Sequence, residues 1–293
     1  MSERELSSAP AMLPLFARAG AAMIPGASRL PFLSGGGGEV PDEVVTLNDV
    51  RSDRSRLAAY DRVCAFPLSD TLPPTYPHML AFPLHLALIT SGQFPFPPIG
   101  LVHIANRIVQ HRPIGAAEAL SVRVWATGLE AHPRGTQFGI CTEARVADEL
   151  VWEEVSTNLR RGRSSEEPSA TASAEPPSSQ GLPVTATWRL RGDLGRRYGA
   201  VSGDLNPIHV HSLTARLFGF PSAIAHGMWT KARCLAALGP SLPPSFTVDV
   251  AFKRPILLPA TVSFAEGRER TEVRFGVRDT EHETPHLDGR VTV

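Results

Sequence analysis

The chain is expected to be an α+β protein of two similar halves, each an antiparallel sheet wrapped on one long helix, and three observations predict it. Each half runs in the same order: a short helix, a long apolar helix, then several strands joined by short turns. Each half carries one alternating strand that ends in Arg-Pro-Ile, Ile108–Ile114 (IVQHRPI) and Val250–Ile256 (VAFKRPI). Between them lies Arg161–Pro183, rich in Ser, Pro, Glu and Ala and almost free of large apolar side chains. A chain of 293 residues is comfortable for two domains, and an internal duplication is the economical account of the repeated order.

Residues 1–38 read as a loosely ordered leader, Ala-rich but interrupted by Glu3, Glu5, Arg18 and Arg29, and closing on the flexible run Gly35–Gly38. The first half, 39–160, offers a short helix with one tyrosine (Arg56–Tyr60) and an apolar helix near His78–Thr90. The strand into Arg112-Pro113-Ile114 and a further strand, Ala119–Ala126, follow. Pro83 falls inside the apolar helix, where it removes a backbone hydrogen bond and favours a kink. Residues 161–183 cannot bury enough surface to order themselves and read as a linker. In the second half, 184–293, Gly195–Ala200 is the tyrosine-bearing helix, Gly227–Leu238 the long one, and Val250–Ile256 and Thr261–Glu266 are strands.

Composition narrows the class of function. Lys+Arg and Asp+Glu balance at 29 each, so the chain lacks the basic surplus that nucleic-acid binding normally needs. Cys64, Cys141 and Cys234 are odd in number and without Cys-x-x-Cys spacing, which argues against a disulfide framework or cysteine-built zinc site and for a reducing, cytoplasmic setting. The leader lacks a basic region before an apolar core, and no stretch approaches the roughly 20 apolar residues of a membrane span.

Chemistry concentrates in residues 198–228. Gly203 can take a left-handed cap and close a helix after Ser202, and Pro207 forces an extended or turn geometry on Asn206. The loop then presents Asp204, Asn206 and His209 within five residues. A carboxylate and an imidazole held that close can share one water and move its protons, because imidazole titrates near neutrality. A turn-capping Asp204, a turn-stabilising Asn206 and a structural His209 are the plain alternatives. A metal site from Asp204, His209, His211 and His226 is disfavoured, because His209 and His211 alternate on an extended chain and would face opposite ways.

Tyr198, Ser202-Gly203-Asp204, Asn206-Pro207-Ile208-His209, Gly219-Phe220 and Ile224-Ala225-His226-Gly227-Met228 together resemble the signature of the MaoC-like, R-specific enoyl-thioester hydratases. The whole chain, with Pro74-Thr75-Tyr76-Pro77 and Gly92–Pro98, resembles the two-domain (3R)-hydroxyacyl-thioester dehydratases of that family. The resemblance implies a double hot-dog fold, a degenerate first copy and an active second one. It implies reversible hydration and dehydration of acyl thioesters on CoA or acyl-carrier protein in fatty-acid metabolism, with no cofactor and no metal. Catalytic roles fall on Asp204 and His209, with Asn206 fixing the loop and the Gly227 N–H receiving the thioester oxygen. Tyr198, Ser202, Phe220, Ile224, His226 and Met228 line the substrate site. If Tyr60 is laid on Tyr198, Phe66 falls at the place of Asp204 and Thr71 at that of His209, so the first copy should not catalyse.

Two rivals remain. A hot-dog thioesterase usually carries its carboxylate on the long helix, and Gly227–Leu238 has no Asp or Glu. A non-catalytic acyl-binding subunit would not need Asp204 and His209 together. Lys231, Arg233, Lys253 and Arg254 are candidates for the carrier's phosphates or plain surface charges. Two hot-dogs in one chain make a monomeric pseudo-dimer or a homodimer the expected assembly.

Overall fold

The computed structural model describes residues 1–21, 38–98, 100–162, 176–239 and 242–293. Most of Gly35–Gly38 and residues 163–175 of the expected linker lie outside that set. Contacts group the chain into two compact units that interleave along the sequence. The first comprises Met1–Arg51, His78–Ile104 and Ala119–Ser173, the second Ser52–Pro77, Ala105–Glu118 and Ala174–Val293.

In the first unit β2 (Glu43–Val50), β4 (Leu120–Ala126), β6 (Gly135–Val146) and β7 (Glu149–Arg161) form an antiparallel sheet in that order. The short β5 (Glu130–His132) flanks β6. The segment read as a leader supplies β1 (Ser2–Leu6), which pairs parallel with β2 from Ser2↔Glu43 to Leu6↔Leu47, and α1 (Met12–Ala21). Residues 78–89 of α3 (Tyr76–Ile89) belong to this unit, and the helix continues through Pro83 as one element. Met79, Ala81, Leu84 and Leu88 are all buried, which fits a helix with almost no polar stripe.

The second unit is built on the antiparallel order β9 (Phe246–Phe252), β12 (Pro285–Thr292), β11 (Glu272–Asp279), β10 (Ala260–Arg268) and β8 (Val184–Leu190). Residues 105–110 of β3 (Leu101–Gln110) pair with β9, so the two Arg-Pro-Ile strands lie side by side from Ala105↔Ala251 to Gln110↔Phe246. Val262 and Phe264, Phe275 and Val277, and Leu287, Gly289 and Val291 recur at every second position of their strands and are buried, as one covered sheet face requires. The helix α7 (Gly227–Leu238) buries Met228, Trp229, Ala232, Leu235 and Leu238. Each such large side chain removed from water contributes about 1.5–3 kcal/mol.

Lys231, expected at the surface, is completely buried in this helix and corrects that expectation. Its ammonium donates to the carbonyl of Asn106 at 3.1 Å, to that of Val248 at 3.3 Å and to the Asn106 side-chain oxygen, tying α7 to β3 and β9. Two shorter helices, α2 (Arg54–Cys64) and α4 (Leu194–Ser202), pack together in the same unit. Two helical turns, α5 (Pro207–Val210) and α6 (Ser212–Leu217), follow α4.

Candidate active site

Helix α4 ends where the chemistry begins. Gly203 adopts φ 82°, a left-handed conformation that a side chain would strain, and its N–H closes the helix onto the Gly199 carbonyl at 2.9 Å. Asp204 follows directly. Its N–H donates to Ser202 Oγ at 3.1 Å, and its own Oδ1 accepts the Asn206 N–H at 3.1 Å. Asn206 caps α5 by accepting the Ile208 N–H at 3.3 Å, with Pro207 at the first helical position. His209 therefore sits on a helical turn, not on the extended chain expected from the sequence; extended geometry begins at His211 (φ −147°, ψ 138°). His211 caps α6 by accepting the Leu213 N–H and is exposed, apart from the site.

The His209 Nδ1–H donates to the Ile224 carbonyl at 2.8 Å, since a carbonyl can only accept. That bond fixes the tautomer and leaves Nε2 with its lone pair. The His209 ring stacks on His226 with centroids 3.7 Å apart and planes at 23°. His226, 3% exposed, donates Nε2–H to the Asp204 carbonyl at 3.1 Å and lies 3.8 Å from Asp204 Oδ2. The ligand-capable atoms of Asp204, His209 and His226 all lie within 4.8 Å of one another. Burial pushes both imidazoles toward the neutral form. His209 is lowered by burial against the opposing pull of Asp204 and the Ile224 bond, and His226 falls to about 3 through burial and the neighbouring His209. The same three side chains have the donors for a metal ion.

His226 is the residue before α7, whose first residue is Gly227. The leading N–H groups of a helix have no partner within it and carry the positive end of its dipole. A Cβ on Gly227 would stand 3.0–3.2 Å from three atoms of the Phe252 ring, so a side chain there would push the ring aside. Tyr198 packs 4.8 Å from His226, and Tyr198, Ser202, Ile224 and Met228 are all buried beside these groups. Phe220 is half-buried, and the loop from Ile224 bonds to Ile208 at 3.1 Å.

Sequence reasoning missed the floor of the site. A Cβ on Gly195 would lie 1.9 Å from the His209 carbonyl oxygen, and one on Gly199 2.8 Å from that of Asp204. Both glycines face the same side of α4 and let the reactive loop rest on its backbone. Their four-residue spacing on a short helix is the signal that could have found them.

Comparison with known proteins places the chain in a family. The profile of the MaoC-like domain family matches residues 169–289. The curated 3-hydroxyacyl-thioester dehydratase X of Mycobacterium tuberculosis is 36% identical over 258 residues, covering 86% of this chain and 90% of that protein. A crystal structure of HtdX from Mycobacterium tuberculosis superposes with a TM-score of 0.75 at 35% identity, over 85% of this chain and 98% of that one. A MaoC-like dehydratase from Phytophthora capsici matches in fold, with a TM-score of 0.73 at 19% identity and 86% and 95% coverage.

Proposed function

Because this chain belongs to the MaoC-like 3-hydroxyacyl-thioester dehydratase family and has a double hot-dog fold, we propose that it interconverts (3R)-hydroxyacyl and trans-2-enoyl thioesters in fatty-acid metabolism, with Asp204 and His209 as its acid–base pair. The observation that carries the reading is the convergence of Asp204, a neutral His209 with its tautomer fixed, and the start of α7. In hydration, a water between Asp204 and His209 loses a proton to the pair as its oxygen bonds the β-carbon. Charge then builds on the thioester oxygen, where the Gly227 N–H and the helix dipole receive it; one such donor is worth roughly 3 kcal/mol of barrier. The pair returns a proton to the α-carbon, and the reverse sequence expels water. Asn206 holds the loop, and His226 supports both catalytic groups from behind. Tyr198, Ser202, Phe220, Ile224 and Met228 would shape the acyl site.

The carrier is CoA or acyl-carrier protein, and residues 184–293 would carry the chemistry while 39–160 form the degenerate copy. Among the described residues no helix is long and apolar enough to cross a membrane. The three cysteines are free and buried, which fits a reducing cytoplasm. A monomer or homodimer is expected on a sizing column. Crotonyl-CoA tests the activity: absorbance of the enoyl group should fall with no release of free thiol, and chiral analysis should show the 3R alcohol. Thiol release would make the chain a thioesterase, and a 3S product would reject the mechanism.

A further inference from the structure

A second convergence of ligating side chains lies in the first unit and shares no residue with the site above. Thr142 on β6 and Glu154 on β7 are directly opposed in the sheet register, and each takes one histidine from α3. His78 Nδ1 bonds both oxygens of Glu154, at 2.8 and 2.9 Å, and His85 Nε2 bonds Thr142 Oγ1 at 2.8 Å. The histidines are seven residues apart, two helical turns, so both rings project from one face of α3 and meet edge to face with centroids 5.2 Å apart. Glu154 is 2% exposed, His85 4% and His78 9%.

The geometry points to a divalent-metal site, zinc by its donor chemistry, formed by His78, His85 and Glu154. This goes beyond the proposed dehydratase reaction and does not depend on it. The ligand atoms of the three residues lie within 4.8 Å of one another. With zinc–nitrogen and zinc–oxygen bonds of about 2.0–2.2 Å, donors in a tetrahedral site stand roughly 3.3 Å apart, so small rotations of the side chains close the set. Two borderline imidazoles with one carboxylate make a donor set that suits zinc, and a fourth position stays open for water. Thr142 fixes the orientation of the His85 ring from outside the set, as outer-shell partners of metal-bound histidines do. The ion would add positive charge beside the carboxylate of Glu154, which is buried among them.

The test strips the full chain with chelator, reloads it with zinc, passes it through gel filtration and measures bound metal. About one equivalent is expected in the wild-type chain and in His209→Ala, which removes a donor from the other histidine cluster. His85→Ala and Glu154→Gln should lose the metal while their circular dichroism stays that of the wild type. A wild-type chain that retains under about a tenth of an equivalent, metal kept by both first-unit variants, or metal lost only in His209→Ala would each overturn the site. If neither variant folds, anomalous diffraction from zinc-soaked wild-type crystals decides: an ion among the three side chains supports the site, and none there rejects it.

Discussion

Helices α2 and α4 carry the same local frame with different chemistry. Tyr60 precedes the left-handed Ala65 by the same interval at which Tyr198 precedes the left-handed Gly203. The two tyrosine rings lie 6.1 Å apart. Beyond the cap they diverge: Gly203 leads into Asp204 and the turn that holds His209, whereas Ala65 leads into Phe66 and Pro67. The alignment made on tyrosines thus coincides with the observed caps and puts Phe66 where Asp204 stands. A helix end that turns the chain sharply is the scaffold both copies keep; the proposed acid–base pair, Asp204 and His209, follows only one of them. The cap residue records the difference. Ala65 holds φ 61° with a Cβ, which costs roughly 1 kcal/mol, while the copy with the reactive groups uses the unstrained glycine.

The sharpest way to break the comparison is to remove what α4 carries. Asp204→Asn and His209→Ala should each lower kcat on an enoyl thioester by roughly 10²–10⁴ with the far-ultraviolet spectrum unchanged. A variant retaining a tenth of wild-type turnover would end the assignment. Gly195→Ala comes next. Its Cβ cannot coexist with the His209 carbonyl at 1.9 Å, so the loop must move. Thermal unfolding should report a loss of about 1–3 kcal/mol, and steady-state kinetics a fall approaching 10²-fold from misplacement. A control change on α2, Ala58→Gly, one residue beyond Leu57 (the position that aligns with Gly195), should leave kcat alone.

The pH dependence is a smaller effect. His209 must be neutral to accept a proton, and burial lowers its titration below the ordinary 6.5. The acid limb of kcat/KM should therefore fall below pH 6.5, and a limb above it would contradict the buried neutral base. Stability shares the sign. His85 and His226 stand at about 3 when folded, so between that value and 6.5 the unfolded chain binds more protons and stability rises with pH. Denaturant midpoints should fall on acidification through that window. The smallest expected change is Ala65→Gly, which relieves the strained cap by about 1 kcal/mol at most without altering turnover. Gly203→Ala should cost stability and turnover together.

Much of this was legible because it depends on local spacing. Gly227–Leu238 has the bounds its apolar run implied, and the Gly203 cap, the Asn206–Pro207 turn and the closeness of Asp204 to His209 follow from neighbours in sequence. What escaped depends on long-range contacts. Nothing near Lys231 announces that its ammonium would be met by Asn106, and the parallel pairing of β1 with β2 joins residues some forty positions apart. His209 was expected on an extended chain because the proline before it was weighed only for the residue it restricts, not for the helix it starts. His78, His85 and Glu154 went unnoticed since Glu154 meets them only through strand register.

The bond from Trp229 Nε1 to the Val63 carbonyl, at 3.0 Å, has a consequence for anyone who would cut this protein down. Trp229 belongs to the helix that begins at the reactive loop, Val63 to the copy without the acid–base pair, and Lys231 two residues on leans on Asn106 of that same copy. An excised fragment of residues 184–293 would leave the Trp229 indole N–H without the Val63 carbonyl, take both Asn106 oxygens from the buried Lys231 ammonium, and bare the edge of β9. Each is a penalty of a kind that aggregates a chain before it folds. Expressed alone, that fragment should be insoluble, and supplying residues 39–160 in trans should recover it. Residues 39–160 would then act toward 184–293 as a built-in chaperone, and truncation to the second half would be no route to a smaller protein.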